Sequence, residues 1–210
     1  MGSMCAARSV RLGLMLALVV GGVGESEATV VVGLDKTALI QGADAIIAGR
    51  VMRVSAIAGP SGGPEIQTRV LIEVWQKYKD PASLVGAQLQ LVQNGGTLGI
   101  RTLLIAGQAR FRVGEPVLVF VERLTDGRLV PFGMSQGKLS LTDAEGSTVA
   151  VRDLSDVALA TRTPDGALEI GPASARFPNR FSLAELERDI EALTRPVAPV
   201  PAPGKSRHVR

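Results

Sequence analysis

The sequence predicts a mainly β fold: a small antiparallel barrel or sandwich with a short N-terminal helix and a C-terminal amphipathic helix. Three observations predict it. Val70, Ile72 and Val74 alternate with Arg69, Leu71, Glu73 and Trp75, the period-two pattern of a half-buried strand. Val117-Leu118-Val119-Phe120-Val121 is apolar on both faces, as the middle of a covered sheet requires. The elements also follow one another as helix, bent strand, long strand, strand, Gly-rich loop, apolar strand, hairpins and closing helix. That order lacks the regular strand and helix alternation of a parallel α/β sheet.

Each element has a local reason. Leu34 to Ala43 reads as a short helix with Asp35 as its N-cap and Gly42 near its end. Ala45 to Val54 is β-rich but changes its alternation near Gly49, which predicts a bulge or sharp bend there. The loop Gly59 to Pro64 leads into the alternating strand, and Gln88 to Gln93 makes a third. Asn94 to Gly99 reads as a turn or mobile loop. Further short strands are expected at Leu129 to Met134, Lys138 to Thr142 and Thr148 to Arg152. Ser182 and Glu185 form a capping-box pattern, and Leu183, Leu186, Ile190 and Leu193 form an apolar stripe at helical spacing that is expected to dock on the sheet.

The chain ends sort the organisation. Arg8 and Arg11 precede the apolar run from Leu12, a Gly-rich break follows at Gly21, Gly22 and Gly24, and Ser26-Glu27-Ala28 supplies small residues at peptidase-read positions. Residues 1–28 therefore read as a secretory signal peptide. Counted through Val23, the run has 12 residues, short of the roughly 20 that span a bilayer. Residues 29–195 read as one β-barrel-like domain and residues 196–210 as a disordered, Pro-rich basic tail. A secreted or periplasmic location follows, with no stable membrane insertion after cleavage. The single cysteine, Cys5, falls in the leader, so stability is expected from apolar burial rather than disulfides. The net charge of +3 equals the contribution of Lys205, Arg207 and Arg210, leaving residues 29–195 formally neutral. No overall positive field exists to collect phosphates, and no nucleic-acid partner is expected.

Ala43 to Val51, Thr68 to Val74, Asn94-Gly95-Gly96 and Phe111 to Phe120 resemble a pattern in a family of secreted bacterial proteins of uncharacterised role. More distantly, the stretch from Thr29 to Thr142 is similar to the OB-like β-barrel of netrin and tissue-inhibitor-of-metalloproteinase modules. The resemblance implies architecture, because its elements are strands and turns rather than reactive groups. Those inhibitors use an N-terminal cysteine, and none remains after residue 28. Zinc chelation by that route is not carried over.

Reactive constellations are weak. Ser135 and Lys138 have a serine-lysine spacing, but Gly137 and the alternating Leu139 and Leu141 place them in a turn entering a strand, not at a helix start. Gly95, Gly96 and Gly99 lack the Lys-Ser/Thr pair of a phosphate loop. His208, the only histidine, lies in the Pro-rich tail, so no metal site or cofactor is expected. Asp153 and Asp156 are remaining carboxylates, while Glu185, Glu187, Asp189 and Glu191 read as the solvated side of the terminal helix. Trp75 and Tyr78, with Arg69 and the loop around Gly62, make a candidate contact surface, although packing of the aromatics beneath a helix is the favoured alternative. The expected function is a secreted or periplasmic, non-catalytic binding module for another envelope or extracellular protein. A protease-inhibitor-like protein and a secreted hydrolase using carboxylates are the alternatives.

Overall fold

The computed structural model describes residues 29–195 apart from 145, 164 and 173–176. The expected leader and the expected tail lie outside the described residues. In chain order the elements are β1 (Thr29–Val32), α1 (Lys36–Gly42), β2 (Ala45–Ala58), β3 (Ile66–Lys79), β4 (Gln88–Asn94), β5 (Gly96–Leu98) and β6 (Arg101–Leu103). They continue as β7 (Pro116–Arg123), β8 (Leu129–Pro131), β9 (Lys138–Ala144), β10 (Ser147–Arg152), β11 (Val157–Arg162), β12 (Leu168–Pro172), β13 (Arg180–Ser182) and α2 (Leu183–Thr194). The protein is mainly β, with antiparallel pairing dominant.

The main sheet runs β13-β10-β9-β7-β2-β3-β4, with β8 beside the end of β7. Pairing does not close it into a barrel, and the stacked layers are sandwich-like. Its centre follows from sequence. Val117, Val119 and Val121 of β7 point to one face with Ile47, Val51, Val70 and Ile72. Leu118 and Phe120 point to the other, with Ile46, Ala48 and Leu139. The first face is covered by Val85, Leu84, Phe111 and Leu129, and the second by Leu39 and Ile40 of α1 and Leu186 and Ile190 of α2. Both faces of β7 are therefore dry, as its two-sided apolarity requires.

Gly49 lets β2 and β3 approach closely. A Cβ at that position would lie 2.3 Å from the Glu73 carbonyl oxygen and 2.6 Å from Ile72 Cγ2, so any side chain there collides with backbone. The ladder shifts register beside it, between Ala48 and Gly49, and again between Ile46 and Ile47 and between Val51 and Arg53. Each shift leaves one extra residue on one strand, which bends it and strengthens its twist.

Several local expectations meet tertiary context. Asp35 caps α1, its side chain accepting from the Ala38 backbone N–H at 2.7 Å. Ser182 is the N-cap of α2 and the last residue of β13, paired with Val149 of β10, but its side chain makes no capping bond. Leu193, expected to be buried, is exposed, because burial along α2 stops at Ile190. The expected turn or mobile loop after Asn94 is instead a small hairpin in which β5 pairs with β6. The expected strand from Leu129 ends at Pro131, and a 3₁₀ turn at Met134–Gly137 follows.

A second sheet runs β1-β11-β12, with β1 parallel to β11. One face packs Val31, Val157 and Leu159 against Leu154 and Phe177. Val30, Val32, Leu168 and Ile170 are exposed. Arg152, fully buried, ties the region to β1: its Nη1 donates to the Leu34 carbonyl at 3.1 Å and its Nη2 to the Pro178 carbonyl at 2.7 Å. Its guanidinium lies 5.5 Å from the Phe181 ring. Burial lowers its pKa to about 10, opposed by the Asp35 charge, so it stays cationic at neutral pH.

Two substitutions test this architecture. Phe120→Ala removes an enclosed ring and is expected to cost about 3 to 5 kcal/mol. Gly49→Ala adds one methyl group against backbone and is expected to cost about 1 to 3 kcal/mol. Urea midpoints read both, and an unchanged midpoint for either overturns the corresponding packing argument.

Candidate functional site

The bulges on β3 set the position of two aromatic side chains. Pairing passes from Gly49↔Val74 to Ala48↔Gln76, leaving Trp75 as an extra residue, and from Ile47↔Lys77 to Ile46↔Lys79, leaving Tyr78 as another. Bulges re-aim side chains relative to the pleat. Here both residues line one groove, of about 950 Å³, between the helix-bearing side of the sheet and α2. Ala48, Pro116 and Leu141 contribute apolar surface to its lining.

Trp75 is 50% exposed rather than packed away beneath a helix. The Arg50 guanidinium lies 5.8 Å from its ring centroid and is held there by donation to the Gly114 carbonyl at 2.9 Å. One side of the indole therefore has a cationic neighbour, an arrangement that favours a fixed ring. Tyr78 packs against the helix-covered core, and its hydroxyl donates to Glu187 Oε1 at 2.6 Å. Burial first, then the hydrogen bond and the charge of Glu187, push the phenol well above its ordinary pKa. It acts as a neutral donor at any physiological pH.

The rest of the groove carries both signs of charge, with Arg50, Lys77 and Arg188 against Asp143, Glu187 and Glu191. Lys77 is engaged with the Val85 carbonyl and Asp80, and Asp143 accepts from the Thr148 hydroxyl at 3.2 Å. Of the acidic residues of α2, Glu185 and Glu191 are exposed, as a solvated face requires, whereas Glu187 and Asp189 engage neighbouring elements. Glu187 meets Tyr78, Asp189 pairs with Lys36 of α1, and Glu191 pairs with Arg195.

Of the four nominated contact residues, the structure brings together Trp75 and Tyr78 only. Arg69 is exposed on β3 opposite Ser55 and Val92, about 20 Å along the strand from Trp75. Gly62 is exposed in the loop between β2 and β3, with φ +81° and open space around it. Sequence reasoning missed Arg50, Asp143 and Glu187 as groove residues. The available signal for Glu187 was its four-residue spacing from Glu191 on one helix face.

Other candidate chemistry resolves into structural roles. Ser135 sits in the 3₁₀ turn, its buried Oγ without a hydrogen-bond partner. Lys138 Nζ instead donates to Glu115 Oε1 at 2.5 Å and Ser140 Oγ at 2.7 Å, and Ser140 Oγ donates to the same carboxylate oxygen at 2.5 Å. Burial pushes the Glu115 carboxyl up, but hydrogen bonds from Lys138 and Ser140, the Lys138 charge and the Arg112 backbone N–H outweigh it and hold the pKa below its usual value. Asp153 accepts from Ser155, and Asp156 pairs with Arg110 at 3.0 Å. Among the described residues, no group of three or more His, Cys, Asp or Glu is arranged to hold a metal ion, and no helix is long and apolar enough to cross a membrane. Comparison with protein-family models, curated proteins and solved structures finds no match.

The Glu115 site predicts a pH dependence. With its folded pKa below the unfolded value, its stabilisation is present in full above the unfolded carboxylate range and is lost as pH falls through the folded pKa. Glu115→Gln leaves the Lys138 ammonium buried without its counter-charge and is expected to cost about 3 kcal/mol at neutral pH. Denaturation across an acid pH series is expected to show a shallower acid loss for the variant. A parallel acid limb would remove Glu115 from that account.

Proposed function

We propose that the protein is a secreted or periplasmic, non-catalytic binding module that engages another envelope or extracellular protein through the groove between β3 and α2. The observation that carries this reading is the half-exposed Trp75, aimed by a β-bulge into the groove and neighboured by Arg50. A fixed aromatic ring loses little side-chain freedom on binding and offers a large contact area, which is why such rings anchor protein interfaces. The mixed charges of the groove suit a polypeptide, with its alternating donors, acceptors and ionic side chains. They do not form the basic stripe that a nucleic-acid backbone favours. The OB-like kinship of the scaffold belongs to this proposal as well: it draws on the bent strand β2 and on the resemblance to netrin-type modules. Inhibition of a protease is the narrower form, and it draws on that resemblance alone.

A hydrolase reading is favoured by one observation, the presence of Asp143, Glu187 and Glu191 in a single groove. It has a direct discriminator: hydrolysis of a glycoside or ester panel that disappears in Glu187→Gln.

The test of the binding reading is affinity capture from envelope and medium with the chain from Thr29 as bait, in parallel with Trp75→Ala. A partner retained by the native bait is expected to lose about 2 kcal/mol, or roughly thirtyfold in affinity, with the variant. Equal retention by both baits overturns the groove as the binding site.

A further inference from the structure

The inward face of β2, β3 and β4 is built in layers that change character toward one end. Register places Val51, Ile72 and Leu89 side by side, then Val54, Val70 and Leu91, then Ala56, Thr68 and Gln93. The first two layers are aliphatic core. The third puts a small residue, a hydroxyl and an amide in their place. There the core stops, and a pocket of about 560 Å³ opens on the side of the sheet away from α2.

Gln93 continues the inward alternation of Leu89 and Leu91 and is 8% exposed. Its Nε2 donates to the Ala109 carbonyl at 2.7 Å, which fixes the orientation of the amide. Its Oε1 lies buried in the pocket lining, and among the described residues nothing donates to it. Thr68, its neighbour across the ladder, is not that donor, because its hydroxyl goes to the Gly95 carbonyl at 2.7 Å. A buried acceptor left unpaired carries a desolvation cost that an inward leucine avoids, so the amide at this position calls for a donor.

The remaining walls show what kind of molecule would bring one. Gly95 and Gly96, with φ +88° and +135°, turn the chain back from β4 into the β5-β6 hairpin. A Cβ at Gly95 would lie 2.9 Å from the Leu103 carbonyl oxygen, so this turn keeps the Leu103 end of the hairpin close to β4. Leu103, Leu104 and Ile105, with Val54 and Phe111, give the pocket an apolar lining, and Leu104, 86% exposed, forms its lip. Among the described residues that line it, the charged ones are Arg110 and Asp156, which pair with each other at 3.0 Å. Their pairing leaves no uncompensated charge for an ionic ligand.

We propose that this pocket binds a neutral aliphatic molecule carrying one hydrogen-bond donor, a hydroxyl or an amide N–H, which donates to Gln93 Oε1 while its chain lies along Val54, Leu103 and Ile105. Apolar walls with one placed polar group are the usual composition of a small-molecule pocket, the walls supplying affinity and the polar group orientation. A ligand with only an acceptor leaves the Gln93 oxygen unpaired, and an ionised one sheds its hydration without a counter-charge. The site is separate from the Trp75 groove and does not depend on it.

Probes of similar size separate these contributions on the native protein. In protein labelled at its Ile, Leu and Val methyl groups and its side-chain amides, n-octanol is expected to shift the resonances of Val54, Leu103, Ile105 and the Gln93 amide. Heptyl methyl ether, its isomer without a donor, is expected to bind about tenfold more weakly, the worth of one hydrogen bond. Octanoate is expected to bind more weakly still. Whichever of n-octanol and N-hexylacetamide binds more tightly names the donor class. Gln93→Leu is expected to abolish the preference for n-octanol over its isomer while keeping the apolar contacts. Leu104→Asp, at an exposed position, is expected to weaken n-octanol with no change in urea midpoint. Absence of shifts at these methyl groups, equal affinity of the native protein for n-octanol and heptyl methyl ether, or tighter binding of octanoate overturns the proposal. Partner capture through Trp75 is unaffected by any of these results, so the two sites stand or fall separately.

Discussion

The close approach of β2 to β3 at Gly49 is the contact on which the remaining architecture depends. Only a residue without a side chain allows the Glu73 carbonyl to come so near, and the ladder shifts register on either side of it. The bends let β2 serve the core beneath α1 and α2 with Ile46 and Ala48, and the opposite core with Ile47 and Val51. The same irregularity makes Trp75 and Tyr78 the extra residues on β3. Fold and groove therefore share one cause: the twist that closes the core also turns two aromatic rings toward α2.

Charge is distributed by the same logic of containment. Arg152 bonds two carbonyls and stacks near Phe181, while Lys138 is enclosed with Glu115 and Ser140. Taking such groups out of water costs several kcal/mol each. Their hydrogen bonds offset part of this, although Arg152 Nε is buried without a partner, and the directional bonds restrict where neighbouring segments sit. Arg152 in particular joins Leu34, just after β1, to Pro178, just before β13. The two sheets are pinned at a point where apolar packing alone has no directional preference.

The readable part of the sequence was its local part. Alternation at Val70, Ile72 and Val74, the two-sided run around Phe120, the Asp35 cap and the irregularity near Gly49 are short-range signals, and each corresponds to a feature of the structure. The strands β11, β12 and β13 escaped notice because they are short; β11 and β12 pair with each other as neighbours in sequence, whereas the other partner of β11 is β1, at the far end of the domain. Glu187 looked solvated because Tyr78, its partner, lies more than a hundred residues earlier. Ser182 matched a capping pattern, and it does stand at the start of α2, but its side chain makes no capping bond. Arg69 and Trp75 share a strand, but sequence proximity hid their separation along an extended backbone. Of the candidate site, the aromatic pair was legible and the surface assembled around it was not.

The parallel pairing of β1 with β11 imposes an order on the birth of the molecule. Thr29 meets Val157 and Val32 meets Ala160, so β1 must await a partner synthesised roughly 130 residues later. At ordinary elongation rates that interval is on the order of ten seconds. Throughout it, Val30, Val31 and Val32 form a short apolar strand with no β11 edge to receive it. The hairpin of β2 and β3 can assemble meanwhile from neighbouring residues, whereas the small sheet cannot. Chain emergence, rather than collapse, sets when the first strand finds its place.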